Sequence, residues 1–385
     1  MDFGASGRHH TLYDELLGAP PQGVEYVVPQ IPVSRFPKAA VGAYQKIRRS
    51  LDGKLDLASL ARKLNRARKA DCDMVHLANH LDDVGKPFVA DFEQALSFLH
   101  AHTSAETVYA DFDRVRTART QLMESHHCKF LLPWTREGAK CISQAFPSKA
   151  IREKTRVVHL SMRVPQNHAP LGHRKFRVLF LGTSNLKGDW NFYSRGGRTM
   201  LRVFEKFARG KEDVELVITG EVPERERANL AKIPHYVEAG LLPKEKLEEA
   251  FRTADVFFYP SYATPGLAFL EAMRYHLPIV TTDAWANEEV VQDKVNGLVS
   301  RFRKFNTHGE FNMPRMREVY TDFELKGGDK ELDSGLLKNL DALYNSTRLR
   351  HKLGERGFRD VSSGEHSIGV RNGKLREIYE QCIRK

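Results

Sequence analysis

Short runs of β-branched and aromatic residues alternate along this chain with stretches whose apolar positions recur at helical spacing. In the first half, HHTLYDELL (9–17) predicts a helix, and Pro20, Pro21 and Gly23 then break the chain. VEYVVP (24–29) reads as a strand, and a long basic helix is expected over 57–70. Strands follow at DMVHLAN (73–79), FVADF (88–92), KFLLPW (129–134) and TRVVHL (155–160). PQNHAPLGHRK (165–175), with its two prolines and one glycine, predicts a linker.

A second series begins at FRVLFLG (176–182). It continues through a helix near 200–208, the strand VELVITG (214–220) and the helix KEKLEEAFRTA (244–254). The strand DVFFYPS (255–261), a helix starting within GLAFLEAMRY (266–275) and the strand PIVTTD (278–283) come next. Segment 301–330 mixes Arg, Phe and Gly without a period and is expected to be a long loop. Helices return at 333–345 and 370–385. Strand–helix alternation of this kind predicts an α/β protein with parallel sheets. Two Rossmann-like domains are expected, 1–168 and 169–365, followed by a C-terminal helix, 366–385, that packs back on the first. Facing domains of this kind place their strand ends, and a ligand, across a shared cleft.

Composition narrows the classes. The 385 residues are 41% hydrophobic and 28% charged, ordinary for a folded protein, so wholesale disorder is excluded. No apolar run reaches the ~20 residues that span a bilayer. The four cysteines (72, 128, 141 and 382) are scattered, with neither zinc-ligand nor disulfide-framework spacing, which fits a reducing cytoplasm. The opening segment lacks the layout of a signal peptide. The formal charge of +11 favours an anionic partner: nucleic acid, anionic lipid or a phosphorylated small molecule.

From Val178 to Val299 an ordered set of motifs separates these classes: FLG (180–182), RGGRTMLRVFEKFA (195–208), LVITGE (216–221), ADVFFYPS (254–261), GLAFLEAMRYHLPIVTTD (266–283) and EEVVQDKVNGLV (288–299). This set resembles the donor-binding domain of the family 4 glycosyltransferases, retaining enzymes of GT-B fold. The resemblance implies sugar transfer from a nucleotide-sugar donor to a hydroxyl acceptor, with retention and without a metal or other cofactor. It also implies a site. Gly266 and Leu267, where a loop opens a helix, would meet the distal phosphate, since free N–H groups there face an anion. Glu271, one turn on, would receive the ribose diol, which a carboxylate can accept from both hydroxyls. Arg195 stands where the family has a Lys before glycine and would pair with the diphosphate, bidentately if needed. Lys187-Gly188 is the competing pair, but the helix resumes directly after Arg195 as in the family. Gly182 and Gly220, which end two strands of the set, complete the donor side.

The chain also departs from the family. The hallmark Glu-x7-Glu would place its first acid at Ala263, yet 260–270 holds no acid and Thr264 stands nearest. Thr264 can bond a sugar hydroxyl but carries no charge for a developing oxocarbenium. That leaves open a weak or inactive nucleotide-sugar-binding homologue, or another GT-B enzyme such as a nucleotide-sugar epimerase. His276 replaces the usual glycine before Leu-Pro, and packing is its expected role. The first half resembles the acceptor domain more loosely. Gly4, Ser6 and Gly7 match its glycine loop, with a flexible terminus as the alternative. Asp91 and Glu93 stand near the place of a sugar-contacting His, and capping of the next turn is equally open. The family's first strand has no room ahead of Gly4, so the natural start lies upstream or another segment fills the slot.

The segment 46–69 carries nine basic residues and two acids. Leu57, Leu60 and Leu64 recur near helical period, so the cations fall largely on the other face. Peripheral contact with an anionic membrane is one expectation, in keeping with lipid-linked acceptors, and a solvated helix face is the other. No zinc finger, recognition-helix signature or aromatic stacking platform supports nucleic-acid binding.

Overall fold

A computed structural model describes residues 11–28, 71–99, 112–182, 189–263, 266–304 and 316–384. The basic segment 46–69, the helix expected over 57–70, and Gly4, Ser6, Gly7, Lys187 and Thr264 lie outside the described residues. The rest falls into two compact units: 11–159 with 371–384, and 160–304 with 316–370.

The first unit holds a parallel sheet of β1 (Val75–Ala78), β2 (Phe88–Phe92) and β3 (Cys128–Pro133), in that order. All five β2 positions are buried, as expected for a central strand covered on both faces. Helices α1 (Thr11–Gly18), α2 (Leu96–Leu99), α3 (Phe112–Glu124), α4 (Arg136–Ala145) and α5 (Lys149–Lys154) belong to this unit. Thr135 starts α4 by accepting from the Gly138 N–H at 2.9 Å. Two expected strands are absent. Residues 24–28 form none: Gly23 takes φ +79°, and the segment is tied by the Tyr26 hydroxyl to that of Tyr379. Residues 156–160 run beside β3, with Arg156 N–H on the Leu131 carbonyl and Val158 N–H on Pro133. Pro133 has no N–H to return the bond, so pairing stops at the single Thr155–Leu131 bridge.

The second unit holds six parallel strands, β4 (Phe176–Leu181), β5 (Val214–Thr219), β6 (Tyr236–Gly240), β7 (Val256–Tyr259), β8 (Ile279–Thr282) and β9 (Gly297–Ser300). Their order is β6-β5-β4-β7-β8-β9. The chain winds outward from β4 to β6, then returns beside β4 as β7 and winds the other way. This is the doubly wound order with a switch point between its first and fourth strands. Every β7 and β8 position is buried, and each fully buried Phe or Val stabilises by roughly 1.5–3 kcal/mol. Between the strands lie α6 (Trp190–Ser194), α7 (Gly197–Phe207), α8 (Arg227–Leu230), α9 (Lys244–Thr253), α10 (Ala268–Met273) and α11 (Asn287–Val290).

Three helices follow β9: α12 (Met316–Leu325), α13 (Lys330–Tyr344) and α14 (Thr347–Ser363). The next helix, α15 (Ile368–Ile383), continues into the first unit from Arg371 onward. Its Tyr379 hydroxyl bonds His76 on β1 at 2.6 Å. Leu332, Leu336, Leu340 and Leu343 are the buried stripe of α13. The loop expected over 301–330 therefore contains a helix, α12. Its inward stripe includes Tyr320 and the fully buried Glu324, an acid where the pattern calls for an apolar residue. β6 went unforeseen because Tyr236, Val237 and Glu238 are all exposed on this edge strand.

Candidate active site

The strands of the second sheet are parallel, so their C-terminal ends share one edge. Most of the donor-side residues described lie along it. Gly182 follows β4, and its N–H donates to the Thr219 carbonyl at 2.8 Å. A Cβ at Gly182 would overlap that same carbonyl oxygen, so the residue must be glycine for the ends of β4 and β5 to meet. Gly220 turns the chain out of β5 at φ +82°, donating to the Gly240 carbonyl.

Arg195 and Gly196 lie between α6 and α7, after β4. Gly196 takes φ +70°, and any Cβ there would overlap the Pro260 carbonyl oxygen beyond β7. The loops after β4 and β7 thus touch directly across the switch point. Arg195 is half-buried at this junction, donating to the Asn191 carbonyl at 3.4 Å. Its guanidinium lies beside the Tyr259 hydroxyl: burial drives that phenol upward, and Arg195 acts in the opposite direction.

The loop after β7 is held from two sides. On the β4 side, the Tyr262 N–H donates to the Ser194 carbonyl at 3.0 Å. On the β8 side, Thr281 bonds the Tyr259 carbonyl, while Thr282 and Asn287 both bond that of Ser261. Asn287, Thr281 and Thr282 are fully buried. The sequence reading missed these three, although the Thr-Thr pair ending a strand was its visible signal. Past the clamp, Gly266 adopts φ +54° with open space where a Cβ would stand, and Leu267 leads into α10. Phe269, Leu270, Ala272 and Met273 are buried around Glu271, whose half-buried carboxylate pairs with Arg274 at 3.2 Å.

Sequence-predicted residues of the first unit are placed differently. Asp91, at the end of β2, is buried and accepts from the Tyr13 hydroxyl (2.6 Å), His76 Nε2 (2.9 Å) and the Asn79 N–H (2.9 Å). Its oxygens are committed to joining α1, β1 and β2. Glu93 is half-buried, with its N–H on the Asn79 side chain at 3.2 Å. His276 packs, as expected: it takes φ +60°, stacks on Phe358 with centroids 3.9 Å apart and bonds Glu355 and His168. Burial pushes the Cys128 and Cys382 thiols up to about 12, which leaves both protonated at neutral pH. Among the described residues no group of three His, Cys, Asp or Glu side chains could hold a metal ion, and no helix is long and apolar enough to cross a membrane.

Residues 176–305 match the family described as glycosyl transferases group 1, and this segment holds β4 through β9 and the clamped loop. Solved structures resemble a larger share of the chain. HepE of Anabaena in complex with UDP superposes with a TM-score of 0.57 at 14% identity, covering 86% of this chain and 84% of that one. WaaG, a glycosyltransferase involved in lipopolysaccharide biosynthesis, gives 0.55 at 13% identity over 91% and 86%. A glycosyltransferase from Rickettsia africae gives 0.55 at 10% identity over 93% and 86%. No curated protein sequence matches the chain. The fold is that of the GT-B glycosyltransferases, an α/β architecture with parallel sheets.

Proposed function

We propose that this protein transfers a sugar from a nucleotide-sugar donor to a hydroxyl acceptor. The observation that carries the reading is the switch point of the second sheet. The family match covers this sheet, and Arg195, Gly196 and the loop leading to Gly266 and Leu267 converge there from separate strands. Ligands of doubly wound sheets sit at this position. Structural neighbours hold UDP, and one holds UDP-glucose, which supports a nucleotide-sugar donor.

In this proposal the diphosphate lies between the Arg195 guanidinium and the amides of Gly266 and Leu267. Its negative charge grows as the anomeric bond breaks, so fixed positive groups lower the barrier. Cationic side chain and amides together make a divalent metal unnecessary. Glu271 accepts the ribose hydroxyls, turning from Arg274 or sharing its oxygens with both. Retention at the anomeric carbon and membership of family 4 belong to the same reading, as do a glycan or lipid-linked acceptor and a place of action at the cytoplasmic face of a membrane. A second reading, nucleotide-sugar binding without turnover, is favoured by the lack of any acid in 260–270.

Calorimetry with UDP, GDP and ADP tests the site. At least one should bind, and Glu271→Ala should weaken it about tenfold or more, the effect of losing charged hydrogen bonds. Unchanged affinity in that variant would remove Glu271 from the site.

A further inference from the structure

Behind the clamped loop lies a buried carboxylate that neither the sequence reading nor the family match accounts for. Glu324, on α12, is fully buried. Its Oε2 accepts the Thr199 N–H at 2.7 Å, in the first turn of α7. Its Oε1 accepts the Thr199 hydroxyl at 2.7 Å and the Tyr262 hydroxyl at 2.7 Å. Arg202 donates to the Thr199 hydroxyl oxygen at 2.6 Å and forks onto Asp333 of α13, both bonds 3.1 Å. Arg202 donates to the Thr199 hydroxyl oxygen, and the Thr199 and Tyr262 hydroxyls, 2.9 Å apart, meet on the same Glu324 oxygen. The first turn of an α-helix has free N–H groups and positive dipole, both of which favour an acceptor with charge.

The placement matters because of what Thr199 and Tyr262 carry. Thr199 is four residues beyond Arg195, and Tyr262 is four residues before Gly266. The two segments follow different strands, β4 and β7, and Glu324 bonds both at once. A neutral apolar side chain at 324 would leave the buried Thr199 N–H and one of the two hydroxyls without an acceptor, a cost that the carboxylate removes.

We propose that Glu324 is a positioning residue of the donor site: through Thr199 and Tyr262 it locks the loops after β4 and β7 in the register that lets Arg195 and the Gly266–Leu267 amides face one diphosphate. This rests on the donor-site reading given above. Glu324 touches no substrate; it acts through the two loops.

The test compares wild type, Glu324→Gln, Tyr262→Phe and the double variant, each confirmed folded by circular dichroism. Asp360→Asn is the control, since it removes the carboxylate of α14 that pairs with His366, 2.7 Å away beyond the helix end. The probe is whichever of UDP, GDP and ADP binds wild type most tightly. Glu324→Gln and Tyr262→Phe should each weaken its binding about tenfold. The double variant should be little worse than either, because both act through one contact. In hydrolysis of the matching nucleotide sugar well below the melting range, donor KM should rise and kcat fall in both variants. A purely structural role would lower Tm, as Asp360→Asn should, and leave KM, kcat and Kd unchanged. Wild type that binds a nucleotide, with both loop variants binding like wild type, overturns the role of Glu324 alone. Wild type that binds none of the three overturns the donor site itself, and this role with it.

Discussion

Gly196 combines a left-handed backbone with a direct contact between the loops after β4 and β7. A left-handed backbone costs a residue with a Cβ about 1–2 kcal/mol. At Gly196 the Cβ would also meet the Pro260 carbonyl. Gly210 has nearly the same φ, +71°, but open space around it, so it separates the two penalties. Gly210→Ala should lower stability by about 1–2 kcal/mol in chemical denaturation and leave nucleotide binding intact. Gly196→Ala should cost clearly more and weaken nucleotide binding, because the two loops must part. Equal losses in both variants would show that the loop contact carries no weight. Arg195 makes a separate claim. Arg195→Ala should weaken a nucleoside diphosphate about tenfold to a hundredfold, as expected for a lost charge-assisted pair, and leave the phosphate-free nucleoside alone. Calorimetry with UDP and uridine, or the matching pair, reads this difference; equal loss for both ligands would place Arg195 away from the phosphates.

Among the elements, the corner before β8 makes a prediction in pH. His276 stands between Phe358 and Glu355 of α14 and His168 of the segment before β4. The His168–His276 bond joins two ring nitrogens, so one of them must offer a lone pair. Burial, the largest influence, lowers the His276 pKa from the usual 6.5; His168 and His351 push the same way, and Glu355 opposes them. A histidine whose folded pKa is lowered binds more protons when unfolded, so it adds stability as pH rises through that window and removes it as pH falls below about 6.5. Tm should drop from pH 7 to pH 5, and His276→Asn should shed part of that drop, since Asn tolerates a left-handed backbone. The same slope in the variant would contradict the assignment.

Elements with a plain hydrophobic signal were legible in the sequence. β4, β5, β7 and β8 are largely buried strands rich in Val, Ile, Leu and Phe, with two threonines closing β8, and all lie where the pattern placed them. Elements whose stability comes from something else were not. β6 shows no buried face, α12 buries an acid, and pairing beyond Thr155 fails for want of one proline N–H. The site follows the same division. Arg195, Gly266 and Glu271 were visible as a motif, whereas Thr281, Thr282, Asn287 and Glu324 act by hydrogen bonds between elements distant in sequence.

For the whole molecule, the formal charge of +11 left three kinds of anion open. The six-stranded sheet and its switch point favour one of them, a nucleotide diphosphate, and in the proposed function Arg195 is the cation that meets it. The most direct test is turnover. Purified protein is incubated with a panel of nucleotide sugars, with and without glycan and lipid-linked acceptors, and release of free nucleoside diphosphate is followed. One donor should be consumed, faster with an acceptor that becomes glycosylated, and Arg195→Ala should slow the release by about a hundredfold, the typical effect of removing one group that stabilises transition-state charge. A panel in which no donor binds or is consumed would contradict the proposed transfer.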